Sequence, residues 1–485
     1  MNRLTRSVCL LVCGAALHAQ APDAIKLGDV TFNASLRSRV YFWDWFQPTA
    51  GDNSYQYSGN LLRFGFSEKR DTWDWDAEFA TPFLLGLPNT ATGTGPQQGG
   101  LGLGSNYYAA NPGNQNTAMI FPKNLFLRFD GLGGNKKHVL QIGRFEFIDG
   151  SEVAPKDATL AALKRDRVAQ RLIGNFGFSD VGRSFDGVHY SYGTAKDNFT
   201  FVGAVPTRGV FQVDGWGWNR VAFGYAAYTH EWGSARHHAD TRLFAIEYDD
   251  FRHILKTDNR ALAARKGDLD NIRINTFGGH SLHAFDTGGG TLDLVFWGAI
   301  QTGRWGTQAQ RAGAFDVEGG FQPKILPAIK PWASAGYTYG SGDNNPNDTR
   351  HNTFFQLLPT PRPYAKFPFF NMMNTEDRYG LLTLRPGAKV TLTSEFHALR
   401  LTDANDLWYA GGGAFQPWTF GYTGRSTSGR RSLGNLYDLG ADYRVNRHLA
   451  LSGYFGYTQG LATMEQIYPQ GKDGEFAYLE LLTKF

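Results

Sequence analysis

The chain has 485 residues, of which 15% are aromatic, 59 are glycine and only 19% carry a charge, at a mean hydropathy of −0.37. No stretch after the N-terminus approaches the ~20 apolar residues that a membrane-spanning helix needs, and 48 basic against 44 acidic residues exclude the strongly basic surface of a nucleic-acid binder. Abundant Tyr, Trp, Phe and Gly with little helical periodicity points to an all-β chain rather than the roughly three soluble domains suggested by length alone.

The chain opens on MNRLTRSVCLLVCGAALHAQ. Arg3 and Arg6 precede a short apolar core, Val8 to Leu17, followed by small residues, which is the pattern of a secretory signal cleaved after Ala19. Residues 20–485 are then expected to form one domain. Cys9 and Cys13, the only cysteines, lie inside the leader, so the mature chain has no disulfide and must be stable through its architecture.

The first mature segment, VTFNASLRSRVYF, sets Val30, Phe32, Ala34, Leu36, Val40 and Phe42 on one face. Thr31, Asn33, Ser35, Arg37, Arg39 and Tyr41 fall on the other, which predicts a strand with one apolar and one wet side. GNLLRFGFS repeats this, with Leu62, Phe64 and Phe66 opposite Arg63; WDWDAEFAT sets Trp73, Trp75, Ala77 and Phe79 against Asp74, Asp76 and Glu78. Near the end, NLYDLGADYRV sets Tyr437, Leu439, Ala441, Tyr443 and Val445 against Asp438, Asp442 and Arg444. The last segment, AYLELLTKF, keeps Ala477, Leu479, Leu481 and Phe485 in one parity.

Connections between such segments alternate in length. Tight turns are expected at EKRD (68–71), GLGGN (131–135), GTAKD (193–197), TGGG (287–290), RPGAK (385–389) and VNR (445–447). Long polar stretches cover 86–120, 148–183, 206–219, 252–271, 341–376 and 402–432. The pattern predicts a transmembrane antiparallel β-barrel of about 18 strands, with short periplasmic turns and long extracellular loops. Closure would pair the last strand with the first and leave no edge. Phe485 then falls at the periplasmic rim, where a C-terminal aromatic suits the barrel-insertion machinery. Aromatics near strand ends (Tyr41 to Trp45, Trp73, Trp75, Tyr454 to Tyr457) are expected at the membrane interfaces. A soluble sandwich or propeller would need a fixed repeat or inward apolar faces, and neither pattern is present.

Five stretches resemble the alginate export family of outer-membrane barrels. LQIGRFEFIDGSEV (140–153) is similar to its Gly-Arg strand end, and QRLIGNFGFSDVGRSFDGVHYSYG (170–193) to its Arg-Leu-Ile-Gly loop and following strand. YTYGSGDNNPND (337–348) resembles its Ser-Gly-Asp loop, while 381–409 and 433–460 resemble its closing hairpins. The resemblance implies an eighteen-stranded barrel that passes a polyuronate through an arginine-lined constriction. Two departures stand out. An inserted basic segment, APKDATLAALKRDRVA (154–169), has the composition of a short helix. Arg144 shares parity with Leu140 and Ile142, so either a bulge at Gly143 turns it inward or it sits above the membrane.

The lumen candidates by parity are Arg37, Arg39, Arg63 and Arg128, faced by Asp74, Asp76 and Glu78, with Glu395, His397, Asp438, Asp442 and Arg444 on later strands. The resemblance adds Arg144, Arg171, Arg183 and Asp186 as pore or substrate contacts. A guanidinium binds both oxygens of a sugar carboxylate in one fork, and interleaved carboxylates would keep a polyanion from binding too tightly to leave. The same charges also serve a wet barrel simply as cross-strand pairs. Loop 148–183, with Lys156, Lys164, Arg165, Arg167 and Arg171, is expected to fold into or over the mouth. His237 and His238 sit in a turn, and His280 and His283 point to opposite faces, so no metal set emerges. GGLGLG (99–104) lacks the strand-to-helix setting of a phosphate cradle, and no nucleophile elbow is present. The expectation is a monomeric outer-membrane channel embedded in lipid and lipopolysaccharide, without catalytic residues, metal or cofactor. Its substrate would be an anionic polysaccharide or sugar acid; a general diffusion porin is the alternative.

Overall fold

The computed structural model describes residues 25–361, 366–414 and 416–485; the expected leader lies outside the described residues. Eighteen strands close into an antiparallel barrel. In chain order they are β1 Val30–Asp44, β2 Ser54–Lys69, β3 Trp73–Leu85, β4 Phe121–Asp130, β5 His138–Phe145 and β6 Phe185–Gly193. There follow β7 Asp197–Pro206, β8 Val221–Gly233, β9 His237–Asp250, β10 Ile272–Asp286, β11 Gly290–Trp305 and β12 Gln308–Pro323. The last six are β13 Trp332–Gly340, β14 Thr375–Leu384, β15 Val390–Leu401, β16 Ser432–Arg444, β17 Leu449–Gly460 and β18 Gly474–Lys484.

Closure joins β18 to β1 in a ladder running from Ser35↔Lys484 to Asp44↔Glu475. Beyond it, the Phe485 N–H donates to the Ala34 carbonyl at 2.8 Å. The alternation then sorts side chains inside out. Val40 and Phe42 are 42% exposed and Leu479 is 63% exposed, whereas Arg37 and Tyr41 are 6% and 1% exposed. This is the arrangement hydrocarbon demands: apolar side chains outward, backbone groups paired, polar groups around the bore. The six tight turns and six long loops fall where the pattern put them, within a few residues. One exception is the two-residue connection at 306–307, which joins the long strands β11 and β12 on the loop side.

Two features set up the interior. The wall is uneven, since β5 and β6 have eight and nine residues against sixteen each for β11 and β12. In addition, two loops turn inward, residues 146–184 and, among the described residues, 341–361 with 366–374. They meet at a parallel bridge, Ile173↔Leu358, where the Gly174 N–H bonds to Leu358 O and the Leu358 N–H bonds to Leu172 O, both at 2.8 Å.

The expected aromatic belt needs correcting. Trp73 is exposed on the lipid face, but Tyr41, Trp43, Trp45 and Tyr454 are buried inside. Trp43 stacks on Phe476 with centroids 4.1 Å apart and meets Phe367 of the inward loop at 5.8 Å. These rings share the parity of the lumen arginines and fill space between wall and loop, so their partner is protein rather than lipid headgroups.

A charge forced into the outer face should be costly. Leu479→Arg is expected to lower barrel stability in lipid vesicles by about 2–4 kcal/mol, the range for a midplane cation, whereas Leu479→Phe should leave it nearly unchanged. Urea unfolding followed by tryptophan fluorescence reads both.

Candidate functional site: the lumen and its inward loops

The early arginines do face the lumen, and the structure shows what holds them there. Arg37 Nη1 donates to Gly177 O at 2.7 Å, its Nη2 also reaches Ser179 O, and it pairs with Asp180 at 3.3 Å. Arg39 pairs with Glu480 at 2.5 Å and donates to Phe178 O at 2.6 Å. Tyr41 Oη donates to Asp180 at 2.9 Å. On β2, Arg63 bridges Glu78 and Glu146, the latter at 2.6 Å, and Asn175 Nδ2 donates to Glu146 at 2.9 Å. Arg37, Arg39 and Arg63 thus pin residues 175–180 of the first inward loop against β1 and β2. Burial opposes ionisation of Glu146, but Arg63 and Lys123 outweigh it and hold the carboxyl down at about 2.

The other end of the loop crosses the bore. Arg171 pairs with Asp316 and Arg167 with Glu318, both at 2.7 Å on β12. Lys164 pairs with Asp240 of β9 at 3.1 Å. The inserted basic segment forms the expected helix, Ala158–Leu163, capped by Asp157 Oδ1, which accepts from the Leu160 N–H at 2.9 Å. A wider helical turn, Lys164–Val168, follows it. Lys156 Nζ reaches Ala195 O at 2.8 Å in the turn between β6 and β7, and Gln322, near the end of β12, donates to Thr159 Oγ1 at 3.1 Å. An extracellular loop therefore threads the lumen down to its periplasmic end.

The remaining candidates divide. Arg128 and Asp74 form a lumen-face pair at 2.5 Å beside Asp76. Glu395, His397, Asp438, Asp442 and Arg444 keep lumen parity, with Arg444 at the periplasmic turn donating to Ala388 O at 2.9 Å. Arg183 is buried within the loop itself, its Nη2 donating to Gly412 O at 3.2 Å, and burial pushes its guanidinium down to about 10. Arg144 and Asp186 do not line the pore. Gly143 has φ +127°, yet the β4–β5 and β5–β6 registers run through it without a shift, so Arg144 stays on the outer parity beside Ile142 and Val188. There it grips Asp186 with two bonds of 2.7 Å, close to the exposed Trp216 and Trp218. Of the two alternatives for Arg144, the bulge is absent; the side chain belongs to the outer rim where the shortened β5 ends.

Above and below the inward loops lie two cavities. The upper, about 390 Å³, has Trp43, Trp45, Phe176, Phe178, Phe420 and Tyr422 in its wall, with Arg425 among them. The lower, about 170 Å³, faces the periplasmic half and alternates Arg165, Arg167, Lys366 and Arg385 with Asp166, Glu318, Glu395 and Asp442. Sequence reasoning missed Lys366, Arg385, Asp316 and Glu318. Asp316 and Glu318 carry the same alternation as the chosen strands, and reading β12 in the same way would have found them.

A family model described as alginate export matches residues 123–460. No curated protein matches the sequence significantly. Similar solved structures include Acinetobacter baumannii OccAB4, at 8% identity and TM-score 0.54, covering 94% of this chain and 98% of that one. Pseudomonas aeruginosa OccK9 (OpdG) matches at 11% identity and TM-score 0.56, covering 94% and 99%. A BenF-like porin from Pseudomonas fluorescens Pf-5 matches at 10% and 0.56, covering 95% and 99%. Identities this low speak for the fold alone.

Two outcomes follow from the pins and from a latch between loops. Arg37→Ala leaves Asp180 buried without its cation, a loss of about 3–5 kcal/mol of local anchoring, and should raise single-channel conductance and its noise while the barrel still migrates as folded on gels. Where the second inward loop leaves β13, the Asp343 N–H donates to Asp406 Oδ2 at 2.9 Å and Thr353 Oγ1 to the same carboxylate at 2.6 Å. Burial pushes Asp343 and Asp406 both up to about 6. A carboxyl raised above its unfolded value stabilises the fold fully below that value and loses the contribution as pH climbs through 6. Acidification from pH 7 to 5 should therefore increase amide protection around 343–353 by about tenfold per carboxyl, and Asp406→Asn should remove one of these two contributions and leave that of Asp343.

Proposed function

The chain belongs to the alginate export family and is an integral outer-membrane channel protein; from that premise we propose that it passes an anionic polysaccharide of the alginate kind, or smaller uronate-type solutes, passively through its charged lumen. The observation that carries this reading is the order of surfaces along the bore. An aromatic-walled mouth stands over a lower chamber in which Arg165, Arg167, Lys366 and Arg385 alternate with carboxylates. Aromatic faces offer apolar contact to the C–H faces of sugar rings, and the cations below suit carboxylates at successive sugars. Interleaved acids weaken each cation's hold, which favours transit over capture. The chain works as a monomer without catalysis, and the gradient sets the direction of flow.

General diffusion of small nutrients is the second reading, favoured by the likeness to a porin fold. The alternating charges of the lower chamber weigh against it, because they favour charged over neutral solutes of equal size.

Planar-bilayer recording separates the two. Uronate oligomers should block the current at concentrations well below those of neutral oligosaccharides of equal length. Replacing Arg165 and Arg385 together by Gln should weaken that block by roughly tenfold, as two partly exposed charge contacts of about 0.5–1 kcal/mol each would give. Equal block by charged and neutral oligomers, unaltered in the double variant, would instead fit a general porin.

A further inference from the structure

We propose that the lumen wall holds a site for one divalent first-row transition cation, formed by Glu395, His397 and Asp438. Glu395 and His397 are two residues apart on β15 and so share its lumen face, and Asp438 of β16 is the direct register partner of Glu395. Their ligand atoms all lie within 4.8 Å of one another. His397 is 1% exposed and Asp438 3% exposed.

The hydrogen bonds around the cluster leave its inner atoms free for a ligand. His397 Nδ1 lies 2.7 Å from Asp377 Oδ2 on β14, so the Nδ1–H donates there and Nε2 is the nitrogen turned toward Glu395, where a bound cation would take the place of a proton. Among the described residues Nε2 has no hydrogen-bond partner, and Glu395 Oε2 stands off at 3.7 Å. Asp438 Oδ1 accepts from Tyr454 Oη at 2.6 Å, while its Oδ2 is buried with no partner among the described residues. A histidine oriented by a carboxylate behind it, with its free nitrogen facing two more carboxylates, is the usual support of a metal ligand. Phe370 and Tyr379 pack on the imidazole at 5.8 and 5.9 Å between centroids and fix its plane. Gly456 makes room, since a Cβ there would lie 2.4 Å from Tyr454 Oη and 2.8 Å from Asp438 Oδ1.

One imidazole nitrogen with two carboxylates suits zinc, cobalt or a similar ion, whereas calcium and magnesium prefer oxygen alone. Glu395 opens onto the lower chamber, from which water would complete the coordination. Arg167 and Lys366 line the same chamber and are the competing cations, the Lys366 Nζ 5.5 Å from the Tyr454 ring. A bound dication would turn this acidic patch of the wall toward net positive charge.

The test uses the full chain folded in detergent, free of any polyhistidine tag and stripped by a chelator, then titrated with Co²⁺. The expected result is a saturable visible d–d band at one equivalent per barrel, bleached by Zn²⁺. His397→Gln and Asp438→Asn should abolish it, Asp377→Asn should weaken affinity by about 10–100-fold, and Asp442→Asn, in the same chamber but outside the cluster, should retain it. Heat-modifiable gel migration confirms folding of each variant. No saturable band in the unaltered chain, or a band that survives in folded His397→Gln and Asp438→Asn, overturns the site.

Discussion

The hydrocarbon of a bilayer offers no hydrogen-bond partner to a peptide group, so a strand can cross it only with both edges paired. Everything else here follows from that demand. The ladder between β18 and β1 removes the last free edge, and with eighteen strands the resulting cylinder is too wide for wall side chains alone to fill. Its interior must hold water, loops or both. This chain sends two of its loops inside, and a sixth of the wall, β4 to β6, is short enough to let outer segments close over it.

Ion pairs do the positioning within that interior. Taking Arg37 and Asp180, or Arg171 and Asp316, out of water costs nearly as much as their attraction returns, so such pairs add little net stability. Their value is in place-keeping. A loop held by β1 and β2 on one side and by β9 and β12 on the other has one position across the bore. The passage is shaped by that position, and the arginines expected to greet a substrate turn out to hold the structure that surrounds it.

The faces of the strands were legible because water and hydrocarbon impose a period of two on every crossing, and Arg37, Arg39, Arg63 and Asp438 obey it. The alternation of tight turns with long polar stretches supplied the loops, and the likeness to family motifs agrees with the family match over residues 123–460. Parity alone misled where depth mattered. Arg144 obeys the outward pattern, and only the end of β5 at Phe145 reveals that it stands at a rim. Tyr41 and Trp43 carry side chains suited equally to a headgroup and to a protein surface, and the inward loop decides between them. The bridge between Ile173 and Leu358 has no periodic signal at all, because it joins two irregular segments far apart in sequence. The cluster at Glu395 and His397 could be placed on one face by spacing, but its third member depends on the register between β15 and β16.

The reach of Lys156 to the Ala195 carbonyl has a bearing on biogenesis. A segment whose tip stands at the far rim has to travel the length of the bore to reach its place, a step distinct from the pairing of the strands. Maturation then has two parts, the zipping of the wall and the seating of its contents, and a barrel can finish the first while still lacking the second. Such an empty cylinder would be an open hole in the envelope, which gives the cell a reason to keep the seating contacts strong.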